Sequence, residues 1–228
     1  MSIFKVKHYD NNITVLAIVT LVLCLSTKVV RADIITLDFE GVGNQAAILD
    51  YYNGGTDSLG NSGTNYGIGF GSNSLALTES EPLANFALPP SGETVMFFLT
   101  GSAILNYAAG FDTGFSFWYS TVGFGGSVNV YDGLNATGNL LGSITIEALG
   151  AGPVIGDPFS NWEIGGLSFN GLARSIDFGG TVNQVGYDDI TFGSATPGQV
   201  AVNAPGVLSL FLVGAFAIVS KRRQYRKS

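Results

Sequence analysis

The chain has 228 residues, with ten Lys and Arg, seventeen Asp and Glu, and a formal net charge of −7. Four basic residues precede Asp33 and five follow Ser220, which leaves Arg174 alone against sixteen acidic residues in between, a net of −15. The only His (His8) and the only Cys (Cys24) also lie before Asp33, so the middle of the chain cannot support Ser-His-Asp or Cys-His catalysis, thiolate or imidazole zinc sites, or a basic surface for nucleic acid.

The first elements are those of an export signal. Lys5, Lys7 and His8 form a basic start, an apolar run covers Ile13 to Leu25, and Val30-Arg31-Ala32 places small residues at the −3 and −1 positions. This order predicts a secretory signal peptide over 1–32, cleaved after Ala32 and engaging the Sec export machinery. Leu23 stands where a lipobox takes a small residue, so lipidation of Cys24 is not expected.

Residues 33–195 read as a single all-β domain. Short runs of Val, Ile, Phe and Tyr alternate with Gly, Asn, Asp and Ser clusters. Ile35, Leu37 and Phe39 alternate across Ile34–Glu40 and predict a first strand. Tyr51 to Phe70 is loop chemistry, and long ordered loops tend to be functional. The apolar stretch Thr94–Gly110 is broken by Gly101, Asn106 and Gly110, so it predicts buried strands rather than a membrane span. Phe115, Phe117 and Tyr119 alternate in a further strand. Ser127–Glu147 predicts a hairpin, with Asp132-Gly133 as a turn signal and a wide loop at Asn135–Asn139. Leu167–Phe169, Ser175–Phe178 and Val185–Phe192 supply the closing strands. Many short strands of this kind predict a two-sheet β-sandwich of jelly-roll type. Trp118 and Trp162 are expected in its core.

Residues 196–228 read as a linker and a C-terminal signal. The motif Val202-Asn203-Ala204-Pro205-Gly206 precedes an apolar segment, giving a transmembrane helix at about 203–220. Lys221, Arg222 and Arg223 open a basic tail over 221–228 that would stay cytoplasmic. Pro205-Gly206, the apolar run with Leu208, Leu210, Leu212 and Gly214, and the Lys221-Arg222-Arg223 cluster together resemble the PEP-CTERM sorting signal of Gram-negative bacteria. The usual motif is Val-Pro-Glu-Pro-Gly; here the first Pro and the Glu are replaced. The resemblance implies processing by an exosortase-like enzyme near Asn203–Gly206. It also implies an inner-membrane-anchored precursor destined for the cell surface or extracellular matrix. The body is similar to the extracellular domains that precede such signals, through Leu37-Asp38-Phe39-Glu40-Gly41, Tyr52-Asn53-Gly54-Gly55-Thr56-Asp57 and Gly186-Tyr187-Asp188-Asp189-Ile190. Its two ends also resemble those of MAM-type and carbohydrate-binding jelly rolls.

In such jelly rolls the first and last strands pair, which would bring Asp38 or Glu40 near Asp188 or Asp189. Clustered carboxylates repel unless protons or a cation intervene, and Ca²⁺ takes oxygen ligands; Asp38, Glu40, Asp188 and Asp189 are therefore the expected ligands of a structural Ca²⁺ ion. In a regular strand Asp188 and Asp189 would point to opposite faces, so only one would serve. For a glycan, the open-loop aromatics Tyr51, Tyr52 and Tyr66 are the expected stacking surface. The expected function is non-enzymatic: an exported structural or adhesive component of the envelope or matrix, in contact with extracellular polysaccharide. The alternatives are a carbohydrate-binding module and a glycoside hydrolase working with two carboxylates alone.

Overall fold

The computed structural model describes residues 34–82 and 84–197. The expected signal peptide with its cleavage at Ala32, the sorting motif Val202–Gly206, the transmembrane helix and the basic tail all lie outside the described residues. Among the described residues no helix is long and apolar enough to cross a membrane.

Among the described residues eleven strands form two antiparallel sheets. They are β1 (Ile35–Leu37), β2 (Ile68–Phe70), β3 (Leu75–Thr78), β4 (Thr94–Phe97), β5 (Ala103–Phe111) and β6 (Phe115–Thr121), followed by β7 (Gly126–Tyr131), β8 (Leu140–Ile146), β9 (Glu163–Leu167), β10 (Ala173–Phe178) and β11 (Val185–Phe192). One sheet runs β3-β4-β11-β6-β9, with β1 also on β11; the other runs β2-β5-β10-β7-β8. The sheets face each other across an aromatic core. Phe117 and Tyr187 of the first sheet meet Phe178 of the second with ring centroids 5.6 and 5.0 Å apart, in edge-to-face geometry. Such pairs add to simple area burial. The alternation Phe115, Phe117, Tyr119 along β6 points all three rings inward, where all are buried. Both tryptophans, by contrast, are only half-buried.

The hairpin expected over Ser127–Glu147 is present as β7 and β8, paired from Gly126↔Ile146 to Tyr131↔Leu140. The Thr94–Gly110 stretch divides into β4 and β5. Strand β9 lies earlier than the expected Leu167–Phe169 and contains Gly165-Gly166. Glycine weakens a strand, but here it is required by contact: a Cβ on Gly165 would overlap the Phe117 ring. The first strand also ends sooner than expected. Leu37 is its last residue, and Phe39 adopts φ 60 to start a turn closed by Val42 N–H on the Phe39 carbonyl.

The segment after this turn closes one side of the sandwich. Its backbone pairs with β3 through Gln45 N–H to the Ala76 carbonyl and Ile48 N–H to the Ser74 carbonyl. It then pairs with β2 through Phe70 N–H to the Leu49 carbonyl and Ile68 N–H to the Tyr52 carbonyl. Two sheet edges that would otherwise offer unpaired backbone to other chains are thereby covered.

The Gly165–Phe117 contact yields a direct test. Gly165→Ala should destabilise the chain by about 1–3 kcal/mol, the cost of overpacking a filled core, read as a lower urea midpoint with an unchanged slope. An unchanged midpoint would mean that the ring is not fixed against this glycine.

Candidate functional site

Two places on the first sheet carry unusual chemistry. One is the stretch of β11 edge shared by β1 and β4. Strand β1 pairs with residues 190–192 and β4 pairs at Tyr187↔Met96, so Asp188 and Asp189 fall between them. A bulge sits at this point: the register with β6 shifts between Asp188↔Trp118 and Thr191↔Ser116, and Asp189 has φ 49. An extra residue breaks strict alternation, and Asp188 accepts both the Ser91 N–H and the Ser91 hydroxyl. The regular strand on which the two acids would point to opposite faces is therefore interrupted at this point.

The gap is closed by backbone donors on acidic side chains. Asp188 is fully buried; its Oδ2 accepts Ser91 N–H at 2.9 Å and its Oδ1 accepts Asp189 N–H at 2.7 Å. Glu40 Oε1 accepts Glu93 N–H at 2.9 Å and Thr94 N–H at 2.8 Å. Asp38 Oδ1 accepts Glu40 N–H at 3.2 Å. Burial pushes the Asp188 carboxyl up to about 7, against the lowering effect of its bonds to Ser91, and the neighbouring Asp189 adds to the rise. Burial also raises Asp189, with Asp38 contributing. The sequence expectation of proximity between first-strand and last-strand acids is thus met in β1–β11, but these oxygens serve as acceptors for loop N–H groups. Among the described residues no group of three or more His, Cys, Asp or Glu side chains is placed to hold a metal ion.

The expected aromatic platform is part of the core. Tyr51 and Tyr52 are 5% and 4% exposed and pack edge-to-face at 4.8 Å. Tyr52 Oη accepts Phe39 N–H at 2.9 Å, and Tyr51 Oη donates to the Glu40 carbonyl at 2.9 Å. Tyr66 is half-buried and stacked on Tyr52 at 6.2 Å. The glycines between them made an open loop plausible. Asp57 instead organises it, a role the sequence pattern did not signal: its carboxylate accepts N–H bonds from Gly43, Leu59 and Asn61 and one from the Asn61 side chain. Burial alone would raise Asp57, but these bonds outweigh it and hold its carboxyl below the usual range.

The second place is a groove on the outer face of β3 and β4. These strands are apolar on both faces. Ala76 and Met96 enter the main core, while Leu77, Val95 and Phe97 join Phe86 in a separate buried cluster. The half-buried Trp162 closes one end of this cluster, donating Nε1–H to the Ala87 carbonyl at 3.0 Å. Leu75, Leu77, Phe97 and Leu99 line a groove of ≈ 350 Å³ together with Gln45, Asn85 and Asn183. Leu99 is 51% exposed. The three amides are exposed, and none of their side chains is hydrogen-bonded among the described residues. Toward Trp162 the same wall narrows to a recess of ≈ 30 Å³ that Ser120 and Gly186 also line. Among the described residues no charged side chain lines either part. A volume of about 300–1,000 Å³ with an apolar floor and a few polar groups is typical of a small-ligand site. With no carboxylate in the lining, it holds no acid–base pair of the kind glycoside hydrolysis uses.

No family model matches the chain, and no curated protein matches it. Solved structures give a distant likeness. The K2 cleaved adhesin domain of Lys-gingipain aligns with 14% identity and TM-score 0.46, over 72% of this chain and 99% of that one. A carbohydrate-binding module of Cellvibrio mixtus lichenase 5A, solved with cellotriose, aligns with 14% identity and TM-score 0.35, over 55% and 89%. A family 43 arabinoxylan arabinofuranohydrolase from Bacillus subtilis, solved with cellotetraose, gives 16% identity and TM-score 0.36, over 53% and 24%. At these scores the likeness carries no argument about ligand or activity.

The buried Asp188 makes a pH test possible. A carboxyl raised in the folded state contributes stability that is fully present below its unfolded value, about 3.8, and lost as pH rises through about 7. Between about pH 5 and 7, above the range of ordinary carboxylates, stability should fall by up to about 1.4 kcal/mol per pH unit, and it should level off above about pH 7. Asp188→Asn should flatten this slope in urea titrations. A variant as steep as the parent would show that another group titrates.

Proposed function

We propose that this chain is an exported surface or matrix protein whose β-sandwich adheres to extracellular polysaccharide through the groove on β3 and β4. The observation that carries this reading is the lining of that groove. An apolar floor of Leu77, Phe97 and Leu99 lies beneath three exposed amides, Gln45, Asn85 and Asn183, whose side chains bond nothing else among the described residues. A sugar ring has an apolar C–H face and a hydroxyl edge. The floor suits the first, and amides suit the second because each both donates and accepts. The role is binding rather than turnover, since the lining offers no titratable group. We read the sandwich as a jelly roll, supported by the pairing of the first strand with the last. Delivery rests on sequence: the n-region and h-region with Ala32 for export, and the PEP-CTERM-like tail for handling by an exosortase-type enzyme.

Adhesion at the groove predicts a clean separation of binding from folding. The double variant Asn85→Ala, Asn183→Gly should reduce retention of the intact chain on insoluble polysaccharides by at least about tenfold, the effect of losing hydrogen bonds worth roughly 1.4 kcal/mol or more. Stability should change by no more than about 0.5 kcal/mol, as for surface substitutions. Glycine is chosen at 183 because Asn183 has φ 57, which glycine adopts freely. Full retention by the double variant would exclude the groove as the contact.

A further inference from the structure

The groove on β3 and β4 is uncharged, on a body that is strongly charged. Its walls combine the apolar side chains of Leu75, Leu77, Phe97 and Leu99 with the amides of Gln45, Asn85 and Asn183. The chain around it is acidic: between Asp33 and Ser220, sixteen Asp and Glu stand against Arg174 alone. Arg174 is exposed on β10 of the other sheet, where its Nη1 donates to the Asp132 carbonyl at 3.4 Å. The groove therefore has no cation of its own to offer a ligand among the described residues. An anion approaching it meets two separate penalties. At a distance it is repelled by the net charge of −15, an effect that salt screens, over about 8 Å at physiological strength and about 3 Å at 1 M. At the wall its charge is desolvated against Leu77, Phe97 and Leu99. Neutral amides do not supply the opposite charge that a desolvated ion needs, so this second penalty is local and salt does not remove it. A hydroxyl meets neither penalty, because an amide both donates to it and accepts from it.

We propose that the groove selects uncharged polysaccharides and excludes those bearing uronate or sulfate groups, and that the uncharged wall makes the choice in addition to the field of the body. The inference rests on the glycan-binding reading above and adds the class of polymer that the site takes. A uronic acid carries a carboxylate where a neutral hexose carries a hydroxymethyl group, so the two differ in charge with little change in shape. That pair of sugars isolates the property on which the wall acts. A cation built into the wall should reverse its preference. Leu99 is the place for one, because it lines the groove and is 51% exposed, so a longer charged side chain fits there without displacing the core.

The test compares binding of the intact chain, by calorimetry, to hexasaccharides of β-1,4-mannan, β-1,4-glucan and β-1,4-galactan and to the same oligomers oxidised to uronates. At least one neutral oligomer should bind at least about tenfold more tightly than its uronate, and the gap should persist at about 1 M NaCl, where long-range repulsion is screened. Leu99→Arg should narrow that gap to about threefold or less at the same salt, by giving the carboxylate a partner. Asn85→Lys places a cation at another exposed point of the lining and should act in the same direction, which covers the case of one variant failing to fold. Arg174→Gln, away from the groove, should leave the ratio of the two affinities unchanged at about 1 M NaCl. Equal binding of hexose and uronate at high salt, or a gap as wide in a folded Leu99→Arg or Asn85→Lys variant as in the parent, would overturn the selectivity and leave the adhesion reading standing. A ratio altered by Arg174→Gln would overturn it too, by placing the choice outside the groove. Failure of every oligosaccharide to bind would overturn both readings.

Discussion

A strand can offer each point of its hydrogen-bonding edge to only one neighbour, and β11 divides one edge between two. Residues 190–192 hold β1 and Tyr187 holds β4, so the chain must leave one partner and enter the other across Asp188 and Asp189. Backbone N–H groups in such a gap have no ladder to join, and leaving them buried and unpaired is costly. The acids answer that need. Asp188 takes up Ser91 N–H and Asp189 N–H, and Glu40 takes up Glu93 N–H and Thr94 N–H. The loop before β4 is thereby fixed, and with it the register of β4 on β11. A carboxylate suits the task because it accepts several bonds and offers no competing donor. Its cost appears in Asp188, whose burial favours the neutral form.

Fixing β4 has consequences on its outer face. An antiparallel sheet commonly turns one face to water, but Val95 and Phe97 are apolar on the side away from the main core. The loop bearing Phe86 and the loop bearing Phe159 cover part of that face, meeting in a bridge Phe86↔Phe159, and Trp162 packs edge-to-face on Phe86 at 6.5 Å. The cover stops short at Leu75, Leu77 and Leu99, and the uncovered remainder is the groove. The groove is thus the unfinished edge of a second, smaller core, and its position follows from where the gap in β11 places β4.

How far the sequence revealed this depended on the length of each pattern. The seven residues of β6, with three aromatics in strict alternation, were legible, as was the hairpin around Asp132-Gly133. Strands β2 and β3 were not, being three and four residues long and too short for periodicity to register. The nearness of the Asp38 and Asp188 regions was readable from the resemblance of the chain ends to paired strands. The function of those acids was not, because a bulge at Asp189 and a turn at Phe39 redirect them, and neither β-branching nor glycine marked those sites. The tyrosines were misplaced for a related reason. Glycine-rich spacing suggests an open loop, yet Gly63 is there because a Cβ would overlap the Tyr51 ring, so those glycines mark close packing. The groove was hidden because Gln45, Asn85 and Asn183 lie on separate segments, and only the continuous apolar run in Val95-Met96-Phe97-Phe98 hinted that both faces of β4 are covered.

The charge distribution and the groove fit one physical logic. Sixteen acids against one arginine give each copy a strong negative field, which at physiological salt decays over about 8 Å. That field holds identical chains apart, and it does so without occupying the apolar surface of the groove. Contact through dispersion and neutral hydrogen bonds is indifferent to the field, so a neutral polymer can approach where a second copy or a polyanion cannot. A basic groove would reverse this, drawing the acidic faces of neighbouring copies into it. The absence of charge among the described residues that line the groove, on a body so heavily charged elsewhere, is therefore what would let repulsion between copies and attraction to a neutral polymer coexist on one small sandwich.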